Sequence, residues 1–246
     1  MRVIKKVLAV SVVTIMSILF LAFDASSEKS EAVPTTNESM AMKVDKKKTV
    51  LLVMDLQKHM IDQQSPLAQH AGFAEMVKKT DMLPRVRKVI DAARSAGMLV
   101  IWIRVDFSAG HYPRYPTRGD FCKNIAAEYK GGKVLRPGDW GYEIVEEVAP
   151  QKGEMVIGKR HMSAFAGSNL DEVLRANGIT DIALTGVATS YVVTATSWDA
   201  LIYGYSNIVI EDCCTTHNEK VQEAAINTLR AIAGICTADK FIRAIK

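Results

Sequence analysis

The sequence predicts an α/β fold, a single three-layer α/β/α domain on a five- or six-stranded, mainly parallel sheet. Short apolar runs alternate with longer amphipathic ones, which is the reading order of βαβ units. The run from Thr49 to Met54 is apolar throughout rather than alternating, as expected of a strand covered on both faces. With 48% of its 246 residues hydrophobic and 24% charged, the chain can bury one substantial core without being a fibrous or disordered polymer.

Thr49 to Met54 is the expected first strand, and it stops at Asp55. Gly72 to Ala96 reads as helix because Val86, Val89, Ile90 and Ala93 recur at helical spacing; a break is expected near Pro84, and Gly97 ends the element. Leu99 to Val105 is the second strand. Asp106 to Gly141 is too rich in Pro, Gly and aromatic residues to be regular, and such long connections are often functional. Its Tyr112, Tyr115 and Phe121 are candidate pocket walls. Met155 to Ile157 is a third strand, and Ser168 to Asn177 a helix stopped by Gly178. Ile182 to Leu184 is a fourth strand, from which Gly186 turns the chain into a helix from Thr189 to Tyr203. Asn207 to Ile210 is a fifth, Asn218 to Ala233 a closing helix, and Ile235 marks a last strand. Right-handed crossovers cover both faces of such a sheet, and ligands bind outside the carboxyl ends of its strands.

Ahead of the domain, Arg2, Lys5 and Lys6 precede an uncharged apolar run from Val7 to Phe23. That pattern addresses a membrane, and residues 1–27 are expected to be either a cleaved signal peptide or an N-terminal membrane anchor. Residues 28–48, polar and poor in large apolar side chains, read as a flexible tether, which leaves 49–246 as the domain. The expected location is extracytoplasmic, secreted or membrane-anchored. The whole chain carries +4; removing 1–27 lowers Lys+Arg from 31 to 28 and Asp+Glu from 27 to 26, leaving +2. No basic face with interleaved aromatics marks a nucleic-acid partner, and membrane contact is expected only through the leader. Cys122, Cys213, Cys214 and Cys236 lack the spacing of a metal ribbon and the density of a disulfide scaffold, so buried thiols are expected.

Three segments fall where an α/β sheet places a site: Asp55 after the first strand, Lys159 after the third, and Gly186 to Val193 after the fourth. A carboxylate beside an ammonium in a partly dry pocket can hold or move a proton. The helix start near Thr189 would offer N–H donors to a developing oxyanion.

The blocks Leu51-Leu52-Val53-Met54-Asp55-Leu56-Gln57, Lys159-Arg160-His161-Met162-Ser163-Ala164-Phe165 and Thr185-Gly186-Val187-Ala188-Thr189, in that order, resemble the signature segments of the isochorismatase-like, or cysteine hydrolase, superfamily. Weaker likeness at Trp140-Gly141, Asp199-Ala200 and Glu211-Asp212 extends the resemblance over nearly the whole of 49–246. The resemblance implies a Rossmann-like domain that hydrolyses a small organic molecule of the enol ether, amide or ester class. It also implies catalysis by Asp55 and Lys159, with Gln57, Phe165, Val187, Ala188, Thr189, Tyr191 and Val192 binding substrate or an oxyanion. Members typically add a cysteine three residues after the Thr of the third block; here that position is Val192, which has no nucleophilic atom, so no thioester can form there. Isochorismatases proper also lack the cysteine and are thought to use the aspartate as an acid, with water doing the cleaving. Nicotinamidase-like members bind metal through Asp-x-His, whereas this chain has Asp106-Phe107-Ser108 and a lone His111, so no metal and no cofactor are expected. A second reading is a binding module that has kept the pocket and lost the chemistry. Self-association into a homo-oligomer is expected of the exposed helices.

Overall fold

A computed structural model describes residues 43–108 and 134–246. The leader, most of the tether, and Tyr112, Tyr115, Phe121, His111 and Cys122 of the long connection lie outside the described residues.

Six strands form one sheet: β1 (Thr49–Met54), β2 (Leu99–Val105), β3 (Met155–Lys159), β4 (Asp181–Val187), β5 (Ser206–Thr215) and β6 (Gly234–Cys236). Their order is β3-β2-β1-β4-β5-β6 and each pairing is parallel. The chain therefore starts at the centre of the sheet and reverses its direction of growth between β1 and β4, where this architecture opens a crevice.

Alternate residues of β1 feed two cores. Leu51 and Val53 pack with Trp102 and with Val86, Val89, Ile90 and Ala93 of helix α4 (Met82–Ser95). Val50, Leu52 and Met54 face the other way, toward Leu170 and Leu174 of α5 (Leu170–Ala176), Ala200 of α6 (Thr194–Tyr203) and Ile226 and Leu229 of α7 (Glu219–Leu229). All six residues of β1 are buried, so each large side chain contributes about 1.5–3 kcal/mol by leaving water. Phe241, on α8 (Ala238–Ala244), closes the first core.

Several elements differ from the sequence reading for identifiable reasons. The long helix is two helices, α3 (Phe73–Thr80) and α4, and the break falls at Asp81, whose φ of 47° is left-handed, rather than at Pro84. Pro84 sits in the first turn of α4, where the N–H it lacks has no helical partner to lose. β5 runs on to Thr215 through Glu211 and Asp212, with a register irregularity against β4 between Leu184 and Gly186. Both acids remain half-buried, and Asp212 accepts the Ala238 N–H at 2.7 Å, which explains how a charged pair is carried in mid-strand. α6 is preceded by a π-type turn at Thr189–Val193 instead of continuing an α-helix from Thr189. Two short helices, α1 (Lys58–Ile61) and α2 (Pro66–His70), fill the segment after β1; Ser65 caps α2 and Pro66 takes its first position.

Candidate active site

Asp55 just after β1, Lys159 at the end of the edge strand β3 and Val187 at the end of β4 all lie at the carboxyl ends of the parallel strands. Asp55 follows β1 with φ at 55°, and its N–H donates to the Ile103 carbonyl of β2 at 2.9 Å. That left-handed kink, tolerated by Asp more readily than by most residues, takes the side chain out of the strand alternation. Lys159 is the last residue of β3, with its carbonyl accepting the Asp106 N–H at 2.9 Å. β4 ends at Val187, which is joined to Ala188 by a cis peptide. One residue earlier, Gly186 has a φ of 134°, and a Cβ there would run into the Met54 carbonyl of β1. Only glycine lets β1 and β4 approach this closely at the crevice.

These placements bring Lys159 Nζ to 2.9 Å from Asp55 Oδ2, across the end of the intervening β2. The residues are 2% and 5% exposed, so the pair is dry enough for its electrostatics to matter. Lys159 Nζ also donates to the His161 carbonyl at 2.9 Å. The other carboxylate oxygen, Asp55 Oδ1, is buried and has no hydrogen-bond partner among the described residues. Burial pushes the Asp55 carboxyl above its ordinary value of 3.8, outweighing the downward pull of the Lys159 charge and hydrogen bond.

The pair opens into a cavity of about 40 Å³. Val187, Ala188, Tyr191 and Val192 form the wall from β4 and the following turn, with Val192 only 2% exposed. Opposite them stand Met60, Leu67 and Phe73, from α1 to α3. Val105 and Phe107 close the β2 side, and His161 and Met162 the β3 side.

The turn that carries Val192 is braced from behind. Thr189 Oγ1 donates to Gln222 Oε1 of α7 at 2.8 Å, while Gln222 Nε2 donates to the Cys214 carbonyl at 3.2 Å. Ser190 and Thr216 hydroxyls meet at 2.7 Å, and the Tyr191 ring stands edge-on to His217, with centroids 5.1 Å apart. Tyr191 and Val193 both donate backbone N–H groups to the Ala188 carbonyl, at 3.1 and 3.3 Å.

Of the residues singled out in the sequence, Asp55, Lys159, Val187, Ala188, Tyr191 and Val192 come together at this cavity. Gln57, Phe165 and Thr189 are placed behind it. The Gln57 amide donates to the Val105 and Tyr142 carbonyls and accepts the Val105 N–H at 2.8 Å, a brace across the strand ends. Phe165 stacks on Tyr203 and Tyr205, at 5.0 and 5.8 Å between centroids. Met60, Leu67, Phe107 and Met162 complete the wall from short helices and loops, where single apolar residues carry no periodic signal, while Phe73 lies on α3, whose periodicity marks a buried face but not which side chains reach the cavity.

Cys213 and Cys214 lie inside β5 rather than beyond it, and burial pushes both thiols far above the range in which a thiolate forms. With Cys236 they are buried and free. Asp106 is occupied by the Tyr142 hydroxyl at 2.6 Å and the Ser108 N–H at 2.8 Å. Among the described residues no three His, Cys, Asp or Glu side chains gather as a metal-binding group.

A family model described as the isochorismatase domain matches residues 49–240. Among curated proteins, the ureidoacrylate amidohydrolase RutB of Stutzerimonas stutzeri is 29% identical over 88% of this chain and 90% of its own, and that of Yersinia enterocolitica 31% over 71% and 81%. Among solved structures, a cysteine hydrolase from Pseudomonas syringae superposes with a TM-score of 0.69 at 22% identity, covering 83% of this chain and 95% of its own. N-carbamoylsarcosine amidase from Thermoplasma acidophilum gives 0.59 at 30% identity, covering 78% and 97%.

Proposed function

The chain belongs to the isochorismatase family of hydrolases, and from that membership we propose that it cleaves a small amide, ester or enol ether by direct attack of water, without a covalent intermediate. The observation that carries this reading is the pairing of Asp55 with Lys159 through one carboxylate oxygen while the other stays unbonded at the cavity. In its protonated form Asp55 delivers a proton to the leaving atom; as a carboxylate it then takes one from the attacking water, and the carboxyl group is restored. The Lys159 ammonium stabilises the carboxylate between these two transfers. Val187, Ala188 and Val192 shape the wall against which the reacting group lies, and Tyr191 covers its side. The amide class has the added support that the similar curated proteins are named amidohydrolases.

The test is turnover by the full-length protein of a panel of small amides, ureido compounds, esters and enol ethers in ¹⁸O-labelled water, with Asp55→Asn alongside. Label in the product, no acyl adduct on the protein, and loss of turnover in Asp55→Asn are expected. Turnover that survives Asp55→Asn would refute the role of the carboxyl. Ligand-induced stabilisation with no turnover in any class would favour a binding module instead, the reading that Val192 motivates.

Export and self-association are proposed on separate grounds. The basic and apolar pattern of residues 2–23 supports export, to be tested by protease protection in intact cells. Trp198, Leu201, Ile202 and Tyr203 are exposed on α6 and support self-association, to be tested by light scattering of Ile202→Lys against the unmodified chain.

A further inference from the structure

We propose that His217, which does not itself line the cavity, is a positioning residue: its ring sets the spacing of Phe73 and Tyr191 and so limits how wide a substrate body the site admits. The inference rests on the hydrolase reading above and adds to it the residue that fixes substrate width.

Phe73 and Tyr191 reach the cavity from opposite walls, Phe73 at the start of α3 and Tyr191 in the turn after β4. Both rings touch the same imidazole. The Phe73 and His217 centroids are 4.8 Å apart with the planes tilted by 36°, and Tyr191 stands edge-on to His217 at 5.1 Å. Both separations fall in the range over which aromatic rings attract. Neither wall residue can therefore shift without losing or compressing a contact with His217.

The imidazole is held in turn. Its Nδ1 lies 2.8 Å from the Ala71 carbonyl, and because a carbonyl only accepts, Nδ1 carries the proton. Gly72 has a φ of 76°, and a Cβ there would meet the His217 carbonyl oxygen at 2.5 Å, so the two backbones pack as closely as glycine allows. On the other side, the Thr216 hydroxyl meets that of Ser190 at 2.7 Å. Thr216 and His217, directly after β5, thus tie the turn that bears Tyr191 to the turn that leads into Phe73. Met60 and Met162, elsewhere on the wall, are unbranched and adapt to shape, so the limit on width falls at Phe73 and Tyr191.

The test measures width directly and needs no turnover. In the full-length Val192→Cys protein, the thiol at 192 is alkylated with iodoacetamide and with the wider iodoacetanilide, each rate being divided by that of free cysteine. With His217 in place the wider reagent is expected to react about tenfold more slowly than the narrow one, and His217→Ala should remove most of that difference. His217→Phe, which keeps a ring against Phe73 and Tyr191 but has no Nδ1, should retain it. Cys213, Cys214 and Cys236, buried and free, report on unfolding: they should stay unmodified in every variant, as they would not if His217 served stability alone. The proposal is overturned by a ratio unchanged in His217→Ala, by equal loss of discrimination in His217→Phe, by alkylation of the buried cysteines along with position 192, or by a thiol at 192 that neither reagent reaches. Alkylation does not involve hydrolysis, so intact width discrimination without turnover of any substrate would sustain the role of His217 while refuting the chemistry proposed above.

Discussion

Asp55 Oδ2 and Lys159 Nζ lie 2.9 Å apart although their strands, β1 and β3, are not neighbours in the sheet, and both side chains are almost completely withdrawn from solvent. Removing one partner leaves the other charge buried. Lys159→Met is expected to destabilise the protein by about 3–5 kcal/mol, read as a lowered urea midpoint, because the Asp55 charge loses its counterion. Asp55→Asn keeps the shape and is expected to lower turnover about 100- to 10,000-fold. Unchanged urea stability in Lys159→Met would show that the pair is not the buried unit described.

The pH dependence of stability has a definite sign. Asp55 titrates above 3.8 in the folded chain because burial outweighs Lys159. Between the unfolded and folded pKa values the native state holds the extra proton, so this group's contribution is fully present below 3.8 and is lost as pH rises through the folded value. The urea midpoint of the unmodified protein should therefore fall across that interval relative to Asp55→Asn, which has no carboxyl to titrate there. Parallel curves for the two proteins, or a rise, would contradict the direction.

Much of this arrangement was legible before any coordinates. β1 reads directly as a strand because parallel strands buried on both faces have no alternation to hide, and Asp55 and Lys159 stand out as charged residues ending apolar runs. β5 reads as too short because Glu211 and Asp212 look like a strand end; the tertiary contacts of Asp212 with Ala238 and Arg85, and of Glu211 with Arg230, make the pair tolerable in mid-strand. Gln57 has the polarity of a ligand-binding residue, and nothing local says that its amide will be consumed by Val105 and Tyr142. The apolar walls are set by how α1, α2 and α3 fold back over the crevice, which no periodicity of 2 or 3.6 encodes.

Gly186 makes a sharper test of the crevice itself. Alanine there would need a φ of 134° and would push its Cβ into the Met54 carbonyl, so β1 and β4 would have to separate beside Asp55. Gly186→Ala is expected to cost at least about 2 kcal/mol. Gly97→Ala, with φ at 70° but nothing within 4 Å of the added carbon, separates backbone strain from the clash and should cost less. Equal losses in denaturant midpoint would mean that the close approach is unimportant.

Gln222 does not itself line the cavity, yet it ties the turn after β4 to β5 through Thr189 and the Cys214 carbonyl. Gln222→Leu should cost about 1–3 kcal/mol, since it strands buried hydrogen-bonding groups. If the turn positions the reacting group, kcat should fall more than KM rises, and Gln222→Glu, which keeps an acceptor for Thr189, should recover part of it. A change in stability with kcat untouched would make Gln222 a structural brace only.

Val192→Cys asks whether the cavity would support a covalent route if given a nucleophile. The substitution replaces the two methyls of a wall residue that is 2% exposed with a single sulfur, in the same cavity as Asp55 and Lys159. The nearby Lys159 ammonium favours the thiolate, as cationic neighbours do. That thiolate would attack the carbonyl of a small amide or ester, the leaving atom would take the Asp55 proton, and a thioester would persist until water cleaved it. The expected result is an acyl adduct or an iodoacetamide adduct mapped to position 192 by peptide mass spectrometry, with Cys213, Cys214 and Cys236 unmodified in their buried sites. A thiol at 192 that neither reagent reaches would mean that Val192 faces packing rather than substrate, and the wall assigned to it would have to be redrawn.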